Sequence, residues 1–133
     1  RLHFGELAAP DAIRRLVEFT FDHHDRNSDF VRIVCIENIH YGEYVKQSPE
    51  IRRMSNLVLQ ALEETLKRGE QEGLFREGLT TVDVHMLISS FCFYRVSNRH
   101  TFGEIFQIDL PDEQVKQRHK TMICEAVLRY ITR

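Results

Sequence analysis

Proline and glycine are scarce in this sequence, three and six among 133 residues. Most of them stand where a helix should begin or end, which leaves long uninterrupted segments between them. No apolar run approaches the roughly 18 residues a membrane-spanning helix needs, and no signal peptide is visible. Cysteine is limited to Cys35, Cys92 and Cys124. They are odd in number, far apart and set in apolar runs, so a disulfide framework is not the economical reading; buried, reduced thiols in the cytoplasm are. A large charge of either sign is also missing. Eighteen Lys+Arg oppose 20 Asp+Glu for a net charge of -2, whereas nucleic-acid-binding domains usually carry a basic face. The motifs of many enzymes are absent too: there is no glycine-rich phosphate loop, no G-x-S-x-G elbow and no C-x-x-C pair.

What is present is an ordinary globular composition, 42% hydrophobic and 29% charged, and a length that fits one domain over residues 1–133 with a core of its own. The chain starts at Arg1 rather than Met, which suggests a fragment of something longer.

Helical periodicity runs through nearly the whole chain. After Pro10, apolar or packable residues recur at Ile13, Leu16, Val17, Thr20, Phe21 and His24, one stripe of a helix. Asp25-Arg26-Asn27 interrupts it, and Ser28 is a suitable N-cap for the next segment. Residues 30–41 are apolar on nearly every face, the mark of a buried helix, with Gly42 as its C-cap. Ser48-Pro49-Glu50 signals a third helix, about 20 residues long, with a stripe at Ile51, Met54, Val58, Leu62 and Leu66 and i,i+4 pairs Glu63–Lys67 and Glu64–Arg68 on its wet face. Gly69 or Gly73 ends it, and residues 73–79 form a connector. Thr80-x-x-Asp83 opens a fourth helix to about Asn98, apolar on several faces. Thr101-x-x-Glu104 reads as a capping box for a short fifth helix. Pro111 opens the last, with a stripe at Val115, His119, Met122, Ile123, Ala126, Val127, Tyr130 and Ile131. The expectation is an all-α fold of about six helices.

Three patterns carry possible chemistry. Glu37-x-x-His40 is the i,i+3 spacing by which di-iron bundles supply ligands, but those bundles need the motif twice, and no other Glu here has His three residues on. The pair reads equally as buried polar groups with side-chain partners, or as pocket residues. His23 and His24 point about 100° apart on a helix and do not readily share one ion. Arg14-Arg15, Arg52-Arg53 and the run Lys116, Arg118, Lys120 read as solvated surface.

The order and character of the segments resemble the C-terminal domain of TetR-family transcriptional regulators. The resemblance rests on SDFVRIVCIENIHYGEYV at 28–45, the long helix after it, GLFREGLTTVDVHMLISSFCFYRVSNRHTFGEIF at 73–106 and the final amphipathic helix, with the GLFR connector at 73–76 as its strongest part. It implies a homodimer, a small-molecule pocket among the early helices, two late helices that form a four-helix bundle with their mates, and operator DNA bound through an N-terminal helix-turn-helix domain that this chain does not contain. On that pattern the expected pocket residues are Phe19, His23, Phe30, Val34, Glu37, Asn38, Tyr41, Met54, Val58, Phe91, Tyr94 and Asn98. The expected dimer residues are Ser89, Phe93, Val96, Met122, Ala126 and Tyr130. No catalytic residue, cofactor, metal ion or membrane contact is expected, and the effector is unidentified, with aromatic or amphipathic molecules suiting such walls. Two alternatives stand beside it: a metal-dependent helical-bundle enzyme using Glu37 and His40, and a helical interaction module without a ligand.

Overall fold

The computed structural model describes the backbone of residues 4–133, and the side chains of all of these except residues 4 and 51–56. Six helices follow one another: α1 (Ala9–Arg26), α2 (Ser28–Ile39), α3 (Pro49–Gln71), α4 (Thr81–Ser97), α5 (Arg99–Phe106) and α6 (Glu113–Ile131). Short 3-10 turns lie at Phe4–Glu6 and Val45–Gln47. The fold is all-α, and the described residues contain no β-strand beyond an isolated bridge between Phe75 and Thr132.

Helix α1 is the centre of the packing and touches α2, α3, α4 and α6. Its stripe Ile13, Leu16, Val17 and Phe21 is buried together with Leu62 and Leu66 of α3, Val84, Ile88 and Cys92 of α4, and Ile123, Cys124, Val127 and Ile131 of α6. Two ion pairs reinforce the seam between α1 and α6. Lys120 meets Asp22 and Lys116 meets Asp25, each at 2.8 Å, so these two lysines bridge helices rather than sit in a solvated run. Arg68 of α3 donates to the Leu7 carbonyl at 2.6 Å and ties α3 to the first turn of the chain.

Several local signals work differently from their sequence reading. Asn27, not Ser28, stands at the N-cap of α2, its amide donating back to the His23 carbonyl at 2.7 Å. Thr101 lies inside α5 and donates to the Asn98 carbonyl, so it does not cap that helix. Helix α6 starts two residues after Pro111, where the Asp112 carboxylate accepts from the backbone N–H groups of Gln114 and Val115 at 3.1 and 3.2 Å, an N-cap that also favours the helix dipole.

The larger correction concerns α2. It was expected to be buried, yet Val31 alone among its residues is fully enclosed, while Ile33, Ile36 and Ile39 are 62%, 53% and 71% exposed. The helix sits at the edge of the assembly and packs only one narrow strip on α1 and α4. An all-round apolar sequence states that a helix needs cover; it does not state that the same chain supplies it.

The 73–79 connector closes the far end of the core. Phe75 is buried beneath Gly69 of α3. Arg76 N–H donates to the Ile131 carbonyl, Arg133 N–H donates to the Leu74 carbonyl, and the Arg76 guanidinium lies 4.0 Å over the Tyr130 ring. A Cβ on Gly69 would fall among the Phe75 ring carbons. Replacing a mid-helix glycine by alanine normally gains about 0.5–1 kcal/mol, but overpacking a filled core typically costs about 1–3 kcal/mol. Gly69→Ala is therefore expected to lower the thermal midpoint, and a midpoint that rises would mean the Phe75 ring can yield.

Candidate functional site

Helix α4 has two flanks with different neighbours. On one, Phe93 meets the His24 ring of α1 edge-on at 5.6 Å, and the Ser89 hydroxyl lies 3.3 Å from Nε2 of His85. On the other, Phe91 meets the His119 ring of α6 edge-on at 5.8 Å, and Tyr94 meets Phe102 of α5 at 5.9 Å. Of the expected dimer residues, Phe93 packs on α1 and Ser89 lies beside His85 of its own helix; of the expected pocket residues, Phe91 packs on α6 and Tyr94 on α5. With apolar residues on several faces of α4, periodicity alone does not tell which flank turns which way.

The remaining dimer-surface residues divide. Met122 and Tyr130 are 46% and 47% exposed, and Ala126 is exposed as well. Met122, Ala126 and Tyr130 follow one another at four-residue steps, so they share one side of α6. Val96 is buried inside the chain, where no partner can reach it, and drops out of that surface.

The expected pocket residues are not gathered in one place. Phe19 and His23, both exposed, stack at 5.9 Å on α1, with His24 following His23 in sequence. Phe30, Tyr41 and Val58 are exposed and Val34 is half-buried; the Met54 side chain lies outside the described residues. Tyr41 has a positive φ of 60° at the turn after α2 and points to solvent. Asn38 donates to the Val34 carbonyl of its own helix at 2.9 Å, and Asn98 donates to the Ser97 hydroxyl at 2.8 Å.

Glu37 has a local task. Its carboxylate accepts from the backbone N–H groups of Tyr44 and Val45 at 2.7 and 2.9 Å, which holds the turn between α2 and α3 against the end of α2. The His40 ring engages the Ile36 carbonyl at 3.0 Å. Each of the two thus has a backbone partner at the end of α2 or in the turn after it. Among the described residues no group of three or more His, Cys, Asp or Glu is placed to hold a metal ion, and no helix there is long and apolar enough to cross a membrane.

Two grooves are described. One of about 290 Å³ lies between α1 and α6, lined by Arg14, Glu18, Lys120, Cys124, Glu125 and Leu128 among others. The other, about 180 Å³, lies between α3 and the connector, at Glu63, Lys67, Glu70 and Arg76. Neither is lined by an expected pocket residue. The Cys124 thiol at the first is pushed up to about 11 by burial and by Glu18, and that of Cys92 to about 12, again by burial first, so neither is a nucleophile near neutral pH.

Sequence reasoning missed Arg95, which is buried. Its Nε donates to Nδ1 of His119 at 2.9 Å, its NH2 donates to the Leu110 carbonyl at 2.8 Å, and its plane lies 4.7 Å from the Phe21 ring centre. A guanidinium that donates to Nδ1 requires that nitrogen to be unprotonated. Burial first, then Arg95 and Arg118, accordingly hold His119 below its ordinary range. His85 was also missed, although its i,i+4 spacing from Ser89 in an apolar helix could have marked it. Burial lowers His85 as well.

With this geometry in hand the class follows. Residues 10–127 match the family described as Tetracyclin repressor-like, C-terminal domain, and the chain belongs to that family. It is 34% identical over 129 residues to the HTH-type transcriptional repressor NicS of Pseudomonas putida. The alignment covers 96% of this chain and 61% of that repressor, so the chain spans about three fifths of the length of the curated relative it matches.

The histidines predict an acid-sensitive fold. His24 falls from an ordinary value of 6.5 to about 4, through burial first and then through His23 and His85. Above pH 6.5 both folded and unfolded chains keep it neutral. As the pH drops from 6.5 towards 4 the unfolded chain takes up a proton that the folded chain refuses, so stability declines across that window. His24→Phe removes this titration while keeping a ring beside Phe93. The loss in urea midpoint between about pH 7.5 and about pH 5 should be smaller in His24→Phe than in the wild type; equal losses would show that His24 titrates normally.

Proposed function

We propose that residues 1–133 form the effector-binding and dimerising domain of a ligand-responsive transcriptional repressor in the cytoplasm. Its homodimer would position two helix-turn-helix DNA-binding domains, supplied outside this chain, on operator DNA, and a small molecule would release them. The observation that carries the reading is the coexistence of the family fold with three exposed residues on one side of α6, Met122, Ala126 and Tyr130. Such a stripe, left open by a chain that fills its core elsewhere, is what a second copy would cover. The repressor to which the chain is similar is named as HTH-type, which supports a DNA-binding domain in the remainder of the protein.

The mechanism needs no catalysis. An effector that binds one arrangement of α1, α2 and α4 better than another shifts the population towards it. In the dimer the shift changes the spacing of the two DNA-binding domains, which must match half-sites about 34–36 Å apart. A coupling of about 1–3 kcal/mol between the sites suffices for regulation.

Native mass spectrometry is the test. The expected species has twice the mass of the 15.8 kDa chain, and Met122→Asp, which would bury a carboxylate in each half of the interface, should weaken the dimer roughly 100-fold or more. A monomer at all concentrations, or a dimer indifferent to Met122→Asp, would remove this side of α6 from the interface.

A further inference from the structure

Nδ1 of His24 is enclosed, and among the described residues it is the buried side-chain polar atom with no hydrogen-bond partner. Such an atom is costly unless something reaches it. Its surroundings are of one kind. Phe93 stands edge-on at 5.6 Å and His23 at 5.8 Å, and Phe19 stacks on His23. On α4, His85 and Ser89 lie two turns and one turn before Phe93 on the same side of the helix, with the Ser89 hydroxyl 3.3 Å from His85 Nε2. The charged neighbours on α1, Asp22 and Asp25, are already matched by Lys120 and Lys116.

We propose that His24, His85 and Ser89, walled by Phe19, His23 and Phe93, hold the effector, and that the effector is an uncharged aromatic molecule carrying a hydroxyl group. This rests on the effector-binding reading above and assigns its residues and ligand chemistry. A hydroxyl both donates and accepts, so it satisfies Nδ1 in either imidazole tautomer, and His85 and Ser89 offer it further partners. A charged ligand would enter a partly buried site whose nearby charges are already paired, which is unfavourable. A planar ring fits walls built from other rings, through edge-to-face and offset contacts.

The test uses phenol as the probe and toluene, the same ring without the hydroxyl, as its control. The readout is the nitrogen-15 signals of the histidine rings in the wild-type chain. Phenol should move the His24 signals saturably and bind about tenfold or more tightly than toluene. In His24→Phe that preference should vanish, with the two probes binding alike. His85→Ala, which keeps His24, should weaken phenol while leaving its preference over toluene reduced but present. The assignment is overturned if His24 signals do not respond saturably to phenol, or if His24→Phe keeps the preference. A dimer that retains a co-purified small molecule while His24 stays silent would also overturn it, leaving the effector-binding reading intact and moving the site elsewhere.

Discussion

Helix α1 carries Ile13, Leu16, Val17 and Phe21 on one broad side, all buried, and no single helix is wide enough to cover it. Helices α3, α4 and α6 each take a share, and α2 packs over its C-terminal end. Apolar burial of this kind contributes roughly 1.5–3 kcal/mol for each large side chain, which makes the shared covering of α1 the dominant constraint. The positions of the other elements follow from it. Helix α6 must run beside α1 for Ile123, Cys124 and Val127 to join the core, which brings Lys116 and Lys120 within reach of Asp25 and Asp22. The connector must turn back so that Phe75 can close the end of the core beneath Gly69, where side-chain-bearing residues would not fit.

Polar chemistry is concentrated where α4 lies between α1 and α6. Arg95 crosses that seam, binding the Leu110 carbonyl and His119 while its plane faces Phe21. A buried guanidinium is tolerable only when its donors are used, and here an aromatic face, a carbonyl and a neutral imidazole use them. The same logic makes His24 stand out, since its Nδ1 has no such partner. The two flanks of α4 therefore differ in kind: one meets α6 and α5, the other the histidine-bearing end of α1. A rotation or slide of α4 would be felt on both.

The exposed isoleucines of α2 belong to the same picture. A helix with Ile33, Ile36 and Ile39 facing outward is anchored through Val31 and little else. Its far end is held by Glu37, whose carboxylate gathers the backbone of Tyr44 and Val45. Few buried contacts and one local brace make α2 the least firmly attached of the long helices, and it borders the histidine side of α1.

The sequence by itself determined the helical class, the number of helices, most of their boundaries and the stripes of α1 and α6, because 3.6-residue periodicity and terminal signals are local properties of the chain. It also carried the family, through the order of its segments and the GLFR connector. Only the tertiary structure decided which way α4 and α2 face, since a helix apolar all round has no phase for a pattern to read. It placed Phe93 against α1 and Phe91 against α6, hid Val96, left α2 largely uncovered and brought the Glu37 carboxylate to the backbone of the next turn. It likewise brought Arg95 to His119, 24 positions apart in sequence, a pairing set by how α4 and α6 cross rather than by anything written near either residue.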